Sequence, residues 1–290
     1  MSGIAMAVVL VSAFFHAGWN FLTKKSQRKV VFIWLGQLVA LVMYFPVFYS
    51  FLPEASIALT GWACIFTSAF LHCLYFSFLG GAYERGELSL VYPLSRGSGP
   101  LVVPICAVFF IREQLEVLGM FGILLIVCGI YVIHLPSFSR QSFLKPLLAL
   151  GGGASLWALL CGCTIVGYSL VDKIGVGHVP PPVYIYVMVC ISSIMMAPYM
   201  LLKERAATVR EWTMNWKNIL IVGFLSNFTY LLILFAMQVS KVSYVVAIRE
   251  VSIVFSAVFG IVWLGEKHAK QKLMGAFLLA AGVVMIGASR

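Results

Sequence analysis

Apolar runs of about twenty residues, parted by short polar breaks, follow one another along the whole 290-residue chain. Each run is long enough to cross a hydrocarbon layer of about 30 Å as a helix. Backbone groups cannot stay unpaired in lipid, so such runs predict transmembrane helices. The alternating pattern of a membrane barrel is absent. Ten spans are predicted, at roughly 4–22, 30–51, 59–81, 88–110, 117–135, 146–170, 182–202, 217–238, 243–264 and 272–288. The longest breaks, near 136–145 and 203–216, are about a dozen residues and too short for a soluble domain. Composition agrees, with 62% hydrophobic residues, 10% charged residues and a mean hydropathy of +1.00. A soluble domain carries roughly a quarter charged residues. The first span lacks the basic leader of a cleaved signal and runs into a second span after a short loop.

The polar breaks also reveal a repeat. GELSLVYPLSRGSGPLVVPICAVFFIREQLEVLGMFGILLIVCGIYVI aligns with KVSYVVAIREVSIVFSAVFGIVWLGEKHAKQKLMGAFLLAAGVVMIG at one constant offset. Arg96 then falls on Arg249, Glu113 on Glu266, Gly122 on Gly275 and Gly129 on Gly282. Charged and glycine positions are rare enough in this background to make the agreement meaningful. The predicted fold is therefore two five-helix repeats, residues 1–135 and 146–290, joined by a connecting loop at 136–145. An odd number of crossings per repeat turns the second upside down relative to the first. Inverted repeats are typical of secondary transporters, with substrate held near the midplane.

A net charge of +10 raises nucleic acid as a partner, but the distribution of the charge argues against it. With loops assigned to alternate sides, fourteen of the 20 basic residues fall on one side and four on the other. The remaining two, Arg96 and Arg249, lie inside spans. Basic loops stay in the cytoplasm, so this bias predicts extracytoplasmic termini. The 7 cysteines all lie within predicted spans without any CxxC and read as small packing residues. Neither a metal site nor a cofactor is expected.

HAGWNFLTKKS at 16–26, YPLSRGSGPL at 92–101, LGEK at 264–267 and the glycine-patterned spans after Glu113 and Glu266 resemble the EamA branch of the drug/metabolite transporter (DMT) superfamily. The resemblance covers essentially the whole chain. It implies an EamA/DMT-like basket of ten helices that moves small metabolites, often amino acids or related compounds, out of the cell. The expected setting is the bacterial cytoplasmic (inner) membrane. The expected partners are a small-molecule substrate, the lipid bilayer and a coupling ion such as the proton, with the protein a monomer or a homodimer.

Four helices carry polar stripes at helical spacing: Ser12, His16, Trp19, Asn20 and Thr23; Ser68, His72 and Tyr75; Trp157, Cys161, Thr164 and Tyr168; Asn227 and Tyr230. Such faces turn away from lipid, either as interhelical hydrogen-bond glue or as the lining of a wet cavity. Arg96 lies about 13 Å along its helix from Glu87. A charge at that depth costs at least about 2.5–3.5 kcal/mol and needs a cavity or a partner. Arg249 lies at similar depth and is followed by Glu250, the one acid expected to lie deep. Arg96 can pair with Glu250 across helices, or the two guanidinium groups can fork onto a carboxylate or phosphate of a substrate. Pro93, Pro100, Pro104, Gly97 and Gly99 predict a loosened fourth helix, and Ser252, Ser256 and Gly260 predict close helix approach in the ninth. His16 and His72 are candidate proton carriers or neutral hydrogen-bonding groups. Glu113 and Glu266 read as span-end acids that set helix ends.

The candidate substrate-binding set is Arg96, Arg249, His16, Trp19, Asn20, His72, Tyr75, Trp157, Tyr230 and Glu250. The leading expectation is a secondary active exporter of anionic or zwitterionic metabolites, such as amino acids or organic acids, by alternating access. The alternatives are a multidrug exporter of hydrophobic cations, a channel and an intramembrane enzyme. An enzyme is disfavoured because GxSxG, HExxH and phosphate-cradling loops are all missing.

Overall fold

The computed structural model describes residues 1–290 except 25, 86–87, 136, 140, 142, 144–152, 265–268 and 290. Among the described residues the fold is all-helical. The first half contains α1 (Gly3–Lys24), α2 (Lys29–Phe51), α3 (Leu59–Arg85), α4 (Leu88–Ile111) and α5 (Val117–Ile133). The second contains α6 (Gly153–Gly175), α7 (Pro181–Leu202), α8 (Arg205–Val239), the half-helices α9 (Val242–Arg249) and α10 (Ser252–Leu264), and α11 (Ala269–Ala288). With α9 and α10 sharing one crossing, the chain spans the membrane ten times as two inverted five-helix repeats. Aliphatic side chains such as Ile126, Ile130, Ile233 and Ile248 fill the interior, while Phe109, Phe110, Phe277 and Val284 face outward to lipid.

The inversion is visible where α5 crosses α11. A Cβ built on Gly122 would lie 2.7 Å from the carbonyl oxygen of Gly282, and one on Gly282 would lie 2.5 Å from that of Gly122. The same reciprocity holds for Gly129 and Gly275, at 2.8 and 2.7 Å. Gly122 thus meets the equivalent of Gly129, and Gly129 meets the equivalent of Gly122, the exchanged pairing that a two-fold axis between antiparallel helices demands. Other pairings follow the same rule: α3 packs on α6 as α8 packs on α1, and α4 packs on α6 as α9 and α10 pack on α1.

The loops fall into two sets. The N-terminal ammonium donates to the Ser289 carbonyl (3.2 Å), so the termini share one face, the terminal face. Glu113 (the α4–α5 loop) and Lys173 (the end of α6) reach the α8–α9 turn on that face. At the opposite, basic face, Glu211 of α8 accepts from the backbone N–H groups of Gln27 (2.8 Å) and Arg28 (2.7 Å), and Arg28 pairs with Glu204 (3.0 Å).

Three expectations are corrected. The segment 203–216, read as a loop, is almost wholly the first turns of α8, because buried Glu211 ties it to the α1–α2 loop. The fourth helix is continuous from Leu88 to Ile111 despite its prolines, and the break falls in the ninth span, at Glu250 and Val251. There the N–H of Glu250 bonds the carbonyl of Ala247 (3.1 Å) and that of Val251 bonds Ile248 (3.0 Å), the tight i→i−3 pattern of a turn. The sixth helix runs to Gly175 rather than stopping near 170, which carries Asp172 inside. Most of the expected 136–145 connection, the start of the second repeat at 146–152, and Glu266 with most of LGEK lie outside the described residues.

Replacing any of Gly122, Gly129, Gly275 or Gly282 by alanine drives a methyl into the opposing carbonyl, a cost of about 1–3 kcal/mol for an overpacked contact. Thermal melting in detergent should show a lowered midpoint for all four, with similar losses for equivalent positions in the two repeats. Gly18→Ala, which meets nothing within 4 Å, should leave the midpoint in place.

Candidate functional site

Two polar groups meet at the break in the ninth span. Arg96 is the ninth residue of α4, about 12 Å in from the basic face; Arg249 is the eighth of α9, about 10 Å in from the terminal face. Successive residues of a helix diverge by about 100°, so Arg249 and Glu250 serve different neighbours. Turning at Glu250 also frees that side chain from strict helical register.

The first group surrounds Glu250. Its Oε1 lies 3.8 Å from Nη1 of Arg96, and Nη2 of Arg96 lies 3.1 Å from Nε2 of His16. Arginine has donors only, so His16 accepts through Nε2 and is neutral with its proton on Nδ1. The imidazole meets the Trp19 ring edge-on with centroids 4.9 Å apart. Arg96, His16 and Glu250 are 9%, 4% and 4% exposed, so all three charges and dipoles are sheltered from bulk solvent. Glu250 Oε2 and Trp19 Nε1 are buried without a hydrogen-bond partner.

The second group surrounds Asp172, the chain's single aspartate, which is fully buried. Tyr184 donates to its Oδ1 (2.7 Å) and Tyr230 to its Oδ2. The Arg249 guanidinium lies over the Tyr230 ring at 5.6 Å, a cation–π arrangement. His72 stacks on Tyr168 at 4.3 Å, meets Tyr230 edge-on at 5.5 Å and bonds through Nδ1 to the Ser68 carbonyl (2.8 Å). Tyr75 meets the edge of Tyr168 at 6.1 Å.

Of the residues expected from the sequence, the structure gathers His16, Trp19, Arg96 and Glu250 into the first group. It gathers His72, Tyr75, Tyr230 and Arg249 into the second. Asn20 bonds back to the His16 carbonyl on its own helix (2.8 Å). Trp157 stands apart near the basic face, against Phe78 and with the Arg85 guanidinium 4.8 Å over its ring. Asp172 was missed because its span was ended too early and the adjacent Lys173 made the pair look like a loop. Its presence changes the charge balance: the sequence led to one deep acid, Glu250, for two deep arginines, whereas Asp172 supplies a second buried carboxylate.

A cavity of about 530 Å³ opens at the terminal face, lined by Glu113, Lys173, Gln238, Ser240, Lys241 and Tyr244 among others. Its walls are built by end-capping. Glu113 accepts from the N–H groups of Val242 (2.7 Å) and Ser243 (3.2 Å), satisfying the start of α9. Arg112, at φ 54°, forms the left-handed end of α4, and the N–H of Glu113 bonds the Ala107 carbonyl (3.1 Å). Lys173 donates to the carbonyls of Met237 (2.5 Å) and Ser240 (2.9 Å) at the close of α8.

Inverted repeats of apolar helices with deep polar groups between them define the fold of a polytopic membrane protein. The profile of the EamA-like transporter family matches residues 2–135 and again 153–288, and the chain belongs to that family. Its members are membrane transporters of the drug/metabolite superfamily, so the partners are a small-molecule substrate and the lipid bilayer. A protein solved by crystallography shares the fold with a TM-score of 0.73 at 14% identity, over 97% of this chain and 94% of the other. No curated protein is a significant match.

Asp172→Leu leaves two buried phenols without their acceptor, at about 1–3 kcal/mol each. Asp172→Asn keeps one acceptor oxygen and should cost less. Melting curves should rank wild type above the asparagine variant and the asparagine variant above leucine. Glu113→Ala should lower stability by about 1 kcal/mol through the lost cap on α9.

Proposed function

We propose that this protein is a secondary active exporter of small zwitterionic metabolites of the amino acid type, working by alternating access. The observation that carries the reading is the pairing of Arg96 with Glu250 at a break in one crossing helix, with Arg249 beside that break and linked through Tyr230 to buried Asp172. Arginine forks onto a carboxylate, and a carboxylate receives an ammonium. A carrier that offers both signs at this depth suits a molecule bearing both. A purely anionic guest would leave Glu250 and Asp172 opposing it. The aromatic rings of Trp19, Tyr168 and Tyr230 supply apolar walls beside the charges. The break supplies the pliable element that lets the two repeats rock. The bias of basic loops supports a topology with the basic face in the cytoplasm and both termini outside. The coupling ion we favour is the proton.

Counterflow in proteoliposomes tests this. Radiolabelled L-amino acids are compared with lactate and succinate as anions and with tetraphenylphosphonium as a hydrophobic cation. The amino acids should exchange, and Arg96→Ala and Arg249→Ala should each lower that exchange at least tenfold. Tetraphenylphosphonium exchange that survives Arg96→Ala would overturn the reading in favour of a cation exporter. Uptake that neither saturates nor shows counterflow would favour a channel.

A further inference from the structure

Among the described acids, Glu250 has a buried carboxylate oxygen that the packing leaves without a hydrogen bond. It is 4% exposed and its Oε2 has no hydrogen-bond partner. Asp172, the buried acid nearest Arg249's partner Tyr230, differs in this respect, since phenols occupy both of its oxygens. A buried acceptor left bare is costly and calls for a donor. The Arg96 guanidinium does not supply it, for its nearest approach is to Oε1 at 3.8 Å, beyond hydrogen-bond distance. His16 cannot turn a second donor toward this pair either, because its Nε2 is committed to Arg96 at 3.1 Å.

We propose that Glu250 Oε2 is the subsite for the substrate's ammonium group, and that a proton fills the same place when substrate is absent. The inference rests on the zwitterionic reading above and names the atom that receives the cationic end. The exchange balances: the protonated carboxyl releases its proton to water, and an N–H⁺ of the ammonium then donates to the carboxylate oxygen. One positive charge replaces another at one oxygen, so proton and substrate exclude each other. A carrier built on that exclusion moves them in opposite directions. The substrate's own carboxylate rests on the guanidinium side, so the guest crosses with no net charge while the returning proton carries one. Export is thereby driven by both the pH gradient and an inside-negative potential.

The surroundings of Glu250 are compatible with this role. Arg96 comes from α4, His16 from α1 and Arg249 from the end of α9. Cys161 and Tyr168 lie within electrostatic reach of the arginines from α6, and Tyr230 meets Arg249 from α8. On α5, which also packs on α9, the titratable side chains are Cys128, which is exposed, and Tyr131 near the far end. Glu250 pairs with Arg96, while Asp172 reaches Arg249 only through the shared Tyr230. The competing acid, Asp172, is held by its two phenols.

The geometry also sets a specificity rule. The bare oxygen needs an N–H donor, so an N-trimethylated betaine should be a poor guest although its charge is the same. The test uses wild type, Glu250→Gln and Glu250→Asp in proteoliposomes holding a pH-sensitive dye. The labelled amino acids of the panel and their N-trimethyl betaines serve as probes. In wild type an amino acid gradient should drive opposed proton movement, an inside-negative potential should speed export, and each betaine should compete at least tenfold less well than its parent. Glu250→Gln should abolish the proton signal and the effect of potential, and Glu250→Asp should restore the proton signal. Both variants must elute as monodisperse protein with a cooperative melt. Amino acid exchange with equal competition by betaines, or with a full proton signal in Glu250→Gln, overturns this inference alone. Wild-type protein that exchanges no amino acid overturns the substrate reading and this inference with it.

Discussion

A charge carried into hydrocarbon must be answered there. Two guanidinium groups lie deep in this molecule, and much of the interior is arranged around meeting their cost. Arg96 is answered by neutral His16 and by Glu250; Arg249 is answered by the face of Tyr230, whose hydroxyl holds Asp172. Neither set is complete within one repeat. His16 and Arg96 come from the first and Glu250 from the second, while His72 comes from the first and Asp172, Tyr230 and Arg249 from the second. The two repeats are therefore joined by the same polar groups that we propose receive the substrate. A buried ion pair is weak evidence for stability, and here its long 3.8 Å contact fits a pair that parts during a working cycle.

Besides the broad packing of α3 and α4 on α6 and of α1 and α2 on α8, the repeats meet at one close backbone crossing and at hydrogen bonds on both faces. At the α5–α11 crossing, glycines bring backbones so close that no side chain fits between them. At the terminal face Glu113 of the first repeat holds the start of α9 in the second. At the basic face Glu211 of the second repeat holds the α1–α2 loop of the first. Carboxylate-to-amide contacts therefore tie the repeats together at both faces, on either side of the crossing, and the proposed rocking would have to release one set at a time.

Much of this architecture was legible in the sequence. Ten hydrophobic spans, the repeat and its inversion follow from run length and from Arg96, Glu113, Gly122 and Gly129 recurring at one offset. Single-residue structure was less legible wherever tertiary contact outweighs local preference. Proline and glycine in α4 pointed to a loosened helix there, yet that helix is continuous, and the break falls at Glu250 and Val251 in the ninth span, where neither proline nor glycine stands. Asp172 followed by Lys173 reads locally as a loop. Only the phenols of Tyr184 and Tyr230, brought from two other helices, explain how it is kept inside. Segment 203–216 looked like a polar connection because the acceptor role of Glu211 depends on amides nearly two hundred positions away in the chain. Trp157 was placed by helical spacing on a polar stripe, but Arg85 and Phe78 hold it near a face.

The central claim is that the break in the ninth span opens to each side of the membrane in turn. Ser252, 4% exposed and two residues beyond Glu250, is the position from which to read it. A Ser252→Cys variant that still transports, in a background lacking the seven native cysteines, can be challenged with a membrane-impermeant thiol reagent applied to either side. Alternating access predicts labelling from both sides, with substrate shifting the balance between them. Labelling from one side only, or from neither while transport continues, would contradict it.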